Sequence, residues 1–265
     1  MASYEEMIRN HELEQDSHQE TVVQSLDQLD HQLSSYQPSK DSLLSQLFGR
    51  KGDQRVKQPK GMYLYGSVGC GKTMLMDLFY DKCSIPDGRK KRIHFHSFML
   101  DVHQRIHDQK KKQDRNQGSG DMFAPSSRKA LLYNPFIPVA RSLVRESFLL
   151  CLDEFQVTDI GDAMILKQLF AELFNNGLVI LATSNRAPDD LYKNGLQRHA
   201  FISFIPLLKK HSHVLSLNSG VDYRQKSLPS KQKIYLMSVE ISAHTFIQSH
   251  NLMLTTSFPF CFFFV

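Results

Sequence analysis

The sequence predicts an α/β fold: a three-layer sandwich in which helices cover both faces of a central parallel sheet. Three observations predict it. Continuous apolar runs, Phe148-Leu-Leu-Cys-Leu152 and Leu178-Val-Ile-Leu-Ala182, suit strands buried on both faces. Segments with apolar residues three and four apart alternate with these runs. A glycine-rich octet, Gly66-Ser67-Val68-Gly69-Cys70-Gly71-Lys72-Thr73, lies between a short apolar strand and a helix, the setting of a loop that wraps phosphate.

The elements follow in order. Val22, Leu26, Leu29 and Leu33 give a helix over 16–36 a single apolar stripe. Pro38 and the Gly/Lys-rich stretch 49–60 break it. Gly61 to Tyr65 reads as a strand and Met74 to Tyr80 as the helix after the octet. Arg92 to Ser97 alternates and reads as a second strand, followed by a helix from Phe98 to about Lys110. The polar stretch 111–130 reads as a mobile loop. Pro138 to Glu146 reads as helix and Ser147 to Leu152 as a buried strand. Ile165, Leu169 and Leu173 share one side of a helix over 160–175, closed by Asn176-Gly177. Leu178 to Ala182 is the next buried strand. Phe201, Phe204, Ile205 and Leu208 form a helical stripe, and Val214 to Leu217 a last strand. Three parts result: a helical N-terminal segment 1–48, a core 49–224 and a tail 225–265. The tail is serine-rich, ends in Phe258-Pro-Phe-Cys-Phe-Phe-Phe-Val265 and does not fit the α/β pattern.

Composition narrows the class. At 41% apolar and 22% charged, the 265 residues can build a sizeable core. The net charge of +5 comes partly from Arg89-Lys-Lys-Arg92 and Lys110-Lys-Lys112, runs expected in solvated loops. Cys70, Cys83, Cys151 and Cys261 have no paired spacing, which fits a reducing compartment and argues against a disulfide framework or a zinc site. The acidic start Met1-Ala-Ser-Tyr-Glu-Glu is not a targeting segment. No stretch reaches the roughly 18 apolar residues of a membrane span. His94 with His96, and His103 with His107, share faces of a strand and a helix. No acid or cysteine completes a ligand set, so hydrogen-bonding histidines are the expectation.

The octet matches G-x-x-x-x-G-K-[ST] in full, the mark of a P-loop NTPase. Glycines let backbone N–H groups turn inward, and with the positive end of the following helix these cradle a β-phosphate. Lys72 reaches the β- and γ-oxygens, and Thr73 offers its hydroxyl to Mg²⁺. The run 148–152 ends in Asp153-Glu154, acids at the carboxyl end of a buried strand. Asp153 is placed to hold the Mg²⁺ shell, and Glu154 to polarise the attacking water. The next buried strand ends in Thr-Ser-Asn185-Arg186, where Asn185 can orient the water or the γ-phosphate. Arg198 is a candidate to neutralise transition-state charge across a subunit boundary, and Arg186 is the other.

These motifs resemble the lactation-elevated ATPases of mitochondria, the AFG-one-like family, with bacterial relatives such as ZapE. The resemblance covers about 4–225. It rests on Asp16-Ser-His-Gln19, the octet, Ile93-His-Phe-His-Ser-Phe-Met-Leu-Asp-Val-His103 and Leu152-Asp-Glu-Phe-Gln-Val-Thr-Asp159. Ala182-Thr-Ser-Asn-Arg186, Leu191-Tyr-Lys-Asn-Gly-Leu-Gln-Arg198 and Gly220-Val-Asp-Tyr-Arg224 complete it. It implies an AAA+ fold in which ATP sits between neighbours in a homo-oligomeric ring. Lys72, Thr73, Asp153, Glu154 and Asn185 then act in cis and Arg198 as a finger in trans. It also implies protein clients at the mitochondrial inner membrane, in protein quality control, with peripheral membrane association open. The family's helical lid is not recognisable from Gln225 onward, so the expectation is nucleotide binding with weak or absent turnover and poor ring assembly. Two alternatives stay open: a nucleic-acid-linked ATPase like the helicase loaders, against which little aromatic interleaving of the basic runs speaks, and a nucleotide-binding regulator without turnover. The address rests on resemblance, with the cytoplasm as the alternative.

Overall fold

The computed structural model describes residues 2–10, 13, 15–38, 57–117 and 134–218. All lie in one of the chain's two units, Met1–Lys226. Most of the expected loop 111–130, the stretch 49–56 and the whole tail 225–265 lie outside them.

Among the described residues five strands form one parallel sheet in the order β2-β3-β4-β1-β5. They are β1 (Gly61–Tyr65), β2 (Lys90–His94), β3 (Leu149–Asp153), β4 (Val179–Ser184) and β5 (Ser212–Ser216). β3 and β4 are buried at every position, as their unbroken apolar runs require. The chain leaves β1 towards β2 at the far edge, then returns through β3 and β4 and passes β1 to reach β5. Right-handed crossovers therefore place the β1–β2 connection on one face of the sheet and the later ones on the other. On the first face α3 (Lys72–Lys82) packs against β3, β4 and the N-terminal α2 (Ser17–Ser34), which follows the short α1 (Ala2–Arg9). On the second lie α4 (Phe95–Gln117), α5 (Phe136–Glu146), α6 (Ile160–Asn175), α7 (Arg198–Ile202) and α8 (Phe204–His211). This is the three-layer sandwich the sequence predicts.

Helix starts follow local chemistry. Asp16 caps α2 by accepting from the His18 N–H at 2.8 Å, and Asp159 caps α6 by accepting from Gly161 and Asp162. The stripe Val22, Leu26, Leu29 and Leu33 is buried as expected. A cluster of rings fills the second face: Phe155 contacts Phe95, Tyr63, Phe170 and Phe204, with centroids 4.4–6.2 Å apart.

The structure corrects three expectations. The second strand is Lys90–His94, and the chain turns helical at Phe95. Phe95, Phe98, Met99, Val102 and Ile106 are buried at helical spacing, which outweighs the short alternation Ile93-His-Phe-His96. His96 therefore stands on a helix. The run Arg89–Arg92 is not a solvated loop. Lys90 is 7% exposed, donates to the Tyr80 carbonyl at 2.6 Å and pairs with Asp87, whose side chain raises its pKa against the lowering effect of burial. Lys110 to Lys112 are exposed, but on the last turns of α4, which runs on to Gln117. Lys, Gln and Arg are good helix formers, and a polar face extends a helix without a core to cover. Among the described residues no helix is long and apolar enough to cross a membrane.

Candidate nucleotide site

The octet closes β1 and opens α3. Gly69 and Gly71 take φ of 84° and 87°, the left-handed region where a side chain is strained. A Cβ at Gly71 would also crowd the amide of Gln19, a buried residue of α2 whose Nε2 reaches the Cys70 carbonyl at 3.4 Å. Tyr4 in turn donates to Gln19 Oε1 at 3.2 Å, so both N-terminal helices brace the loop. The Ser67 N–H donates to Asn218 Oδ1 at 2.8 Å, which anchors the loop's first turn to the chain leaving β5.

Lys72 is buried, and its Nζ donates to the carbonyls of Gly66 at 2.9 Å and Ser67 at 2.6 Å. The ammonium thus lies in the hollow of its own loop. Thr73 Oγ1 donates to Asp153 Oδ1 at 3.1 Å, joining positions 80 residues apart. Asp153 is 2% exposed and well supplied with donors. Its Oδ1 also accepts from Thr183 Oγ1 at 2.5 Å and the Glu154 N–H at 3.1 Å, and its Oδ2 faces Arg92 Nη2 at 3.2 Å. Both oxygens of this buried carboxylate thus have partners, as buried polar groups require.

Glu154 projects into solvent from a left-handed backbone, φ 54°, a conformation that costs about 1–2 kcal/mol for an L residue. The next residue explains it. Phe155 is fully buried in the ring cluster, and its N–H donates to the Thr183 carbonyl at 2.7 Å. The Glu154 N–H is caught by Thr183 Oγ1 at 3.1 Å. Between a buried Asp153 and a buried Phe155, the chain has to swing Glu154 outward.

Asn185 is exposed and lines a polar cleft of about 540 Å³ with Tyr65, Arg186, Lys193 and Asn218. Tyr63 OH donates to the Arg186 carbonyl at 2.9 Å and Ser184 Oγ accepts from the Arg186 N–H at 3.1 Å, so this exit from β4 is fixed at both ends. Arg198, at the start of α7, is half-buried and donates through Nη2 to the Asp189 carbonyl at 2.6 Å, not to the phosphate loop. Lys193 first, and then the fields of Arg198 and Arg186, hold the Asp190 carboxylate below its ordinary range. Arg186 lines the same polar cleft as Asp190 and Lys193, and Arg198 is held by the neighbouring Asp189 carbonyl.

The octet, Asp153 and Glu154 come together as a unit, and sequence reasoning missed two partners. Thr183 was legible as a hydroxyl in a wholly buried run, which must find a partner. Arg92 was hidden in a basic run that looked like a loop. The residues present fit a Mg²⁺-triphosphate: inward-turned glycines, a buried ammonium and a hydroxyl–carboxylate pair of hard oxygens. Among the described residues no three His, Cys, Asp or Glu side chains gather to hold a metal ion. His103 pairs with Asp162 at 2.7 Å, and burial pushes the Cys83 and Cys151 thiols up, where they stay protonated.

The profile of the AFG1-like ATPase family matches residues 1–257. Lactation elevated protein 1 homolog B of Danio rerio is 48% identical over 191 residues, 72% of this chain and 36% of that protein. The cell division protein ZapE of Escherichia coli is 41% identical over 185 residues, 70% of this chain and 44% of that protein. An uncharacterised Schizosaccharomyces pombe protein, C115.02c, is 40% identical over 245 residues, 84% of this chain and 50% of its own length. This chain thus spans a third to a half of the relatives it matches. Among solved structures, that of DnaI overlays with a TM-score of 0.48 at 13% identity, over 79% of this chain and 86% of that one. With the parallel sheet, the glycine-rich loop after its interior strand β1 and a family match along nearly the whole length, the chain belongs to the AFG1-like ATPase family.

Proposed function

We propose that this chain binds ATP with Mg²⁺ on the loop Gly66–Thr73 and hydrolyses it, using Glu154 as the general base. The observation that carries the proposal is the junction of Thr73 and Asp153 beside the buried Lys72. Bound Mg²⁺ would neutralise charge on the phosphate oxygens. Loop N–H groups hold the β-phosphate, and Lys72 leaves the Gly66 and Ser67 carbonyls for the β- and γ-oxygens. Thr73 and Asp153 are the residues that would hold the cation's shell. Glu154, exposed where a water can reach it, accepts the proton of the attacking water, and Asn185 orients that water or the γ-phosphate.

The test compares three chains. Lys72→Ala loses ATP affinity in calorimetric titration. Glu154→Gln keeps it but loses turnover by at least about a hundredfold, the scale of a general base. Intact affinity in Lys72→Ala would overturn the site, and intact turnover in Glu154→Gln would overturn the base.

The family resemblance supports a further reading: a homo-oligomeric ring that remodels protein clients in mitochondrial protein quality control. Arg198, or Arg186 beside it, then serves the neighbour's γ-phosphate. The Arg198 guanidinium supports this, since its bond goes to the Asp189 carbonyl and not to the chain's own glycine-rich loop. Turnover that rises with protein concentration, together with a larger mass in nucleotide, is the expected outcome. Concentration-independent turnover by a monomer refutes it.

A further inference from the structure

Arg92 bridges two acids of different elements. Its Nη2 lies 3.2 Å from Asp153 Oδ2, and its Nε lies 2.5 Å from Oδ1 of Asp77 on α3. Asp77 follows Thr73 by four residues and so stands one turn along the same helix face. The contact with Asp77 is close, yet those two buried atoms are misaligned for a hydrogen bond. It is a charge contact and not a hydrogen bond. Pairing β2 with β3 in parallel register brings the Arg92 side chain to the carboxyl end of β3, while His94 Nδ1 stands 3.9 Å from Asp153 Oδ2.

Asp77 and Asp153 are hard-oxygen groups that both touch the Arg92 guanidinium, and Thr73 donates to Asp153. With Arg92 among them the local charge is −1, and without it −2. From this we infer that Arg92 is a resident counter-cation, a positioning residue that makes Mg²⁺ entry conditional on nucleotide. In the free chain the guanidinium occupies Asp153 Oδ2 and suppresses the field that would draw a divalent cation. When a triphosphate brings its own oxygens and the cation together, Arg92 yields Asp153 and keeps Asp77 as its partner. Asp77 is thus the counter-charge that lets the guanidinium move without being stranded. The inference rests on the proposed role of Asp153 at the cation, and it adds a reason for an arginine where the phosphate chemistry asks for none.

The test uses Mn²⁺ as the probe, read by electron paramagnetic resonance, because carboxylate and hydroxyl ligands suit it as they suit Mg²⁺. The nucleotide-free chain is expected to bind no Mn²⁺ at millimolar concentration. Arg92→Gln is expected to bind it, and Arg92→Lys, which keeps the charge, is not. With a fluorescent ATP analogue, the Mg²⁺ concentration needed for half-maximal tight binding should fall about tenfold in Arg92→Gln, on the scale of one partly screened charge a few ångströms away. In Asp77→Asn it should rise by a similar factor, because Arg92 then has only Asp153. Opposite shifts are something a merely structural role would not produce, since lost packing weakens both variants alike. Circular dichroism melts identify a variant that fails to fold, and Arg92→Lys against Asp77→Asn then carries the comparison. Mn²⁺ binding by the free native chain, no binding by folded Arg92→Gln, or shifts of the same sign would each overturn the inference. If the native chain shows no Mg²⁺-dependent tightening of nucleotide at all, it is the proposed function that fails.

Discussion

At the scale of single residues, Thr183 sits at the centre of the proposed catalytic end of the sheet. One hydroxyl donates to Asp153 and accepts from the Glu154 N–H, so it fixes both acids. Thr183→Val keeps the shape and removes both bonds. The expected result is a loss of about 1–3 kcal/mol in urea unfolding, from buried groups left unpaired, and a fall in turnover that exceeds the loss of ATP affinity. Equal losses in both would mean that Thr183 supports the fold alone. The octet, Asp153 and Glu154 could be picked from the sequence because their chemistry is local: spacing within a loop, or an acid at a strand's end. Thr183 and Arg92 act through atoms that only the sheet brings near. Arg92 in particular meets Asp153 across a strand pairing 61 residues distant in sequence.

At the scale of elements, legibility followed burial. β1, β3 and β4 have strands on both sides and read as unbroken apolar runs. Among the described residues β2 is an edge strand, paired with β3 alone, and it carries Lys90, Lys91 and Arg92, as unprotected edges often do. Its basic sequence imitates a loop. α1 is short, and its buried anchor Tyr4 gives no periodic signal. The C-terminal end of α8 yields a pH prediction. His211 stacks on Phe174, centroids 4.2 Å apart and rings nearly parallel. Burial first, then Lys210 and Lys60, pushes its pKa below the ordinary 6.5. The folded chain therefore favours neutral histidine more than the unfolded chain does. The resulting stability is present above about pH 6.5 and is lost as pH falls from there towards the lower folded value. Urea midpoints at about pH 7.5 and about pH 5.5 should differ more for the native chain than for His211→Phe, which keeps the stacking and drops the charge. An unchanged difference would remove His211 as the source.

At the scale of the whole molecule, ligand binding and stability are one quantity. Nucleotide held by a loop that β1, α2, α3 and the end of β5 brace together favours only the folded form. At a hundred times its dissociation constant ATP should add about 2.7 kcal/mol, seen as a raised melting temperature. Glu154→Gln should show the full shift and Lys72→Ala none. A shift in Lys72→Ala equal to the native one would mean that ATP stabilises the chain from another place.

The sheet order also governs how the molecule is made. β1 lies between β4 and β5, and the phosphate loop's first turn is anchored by Asn218, 151 residues downstream of Ser67. A ribosome adding about 5–20 residues per second needs on the order of ten seconds to supply those partners. Until β4 is made Met62, Tyr63 and Leu64, wholly buried at the end, have neither neighbouring strand to cover them, and until β5 follows they have only one. The segment that starts the nucleotide site is thus among the last to be finished, and a nascent chain stalled before β5 exposes an apolar strand that invites chaperones and aggregation alike.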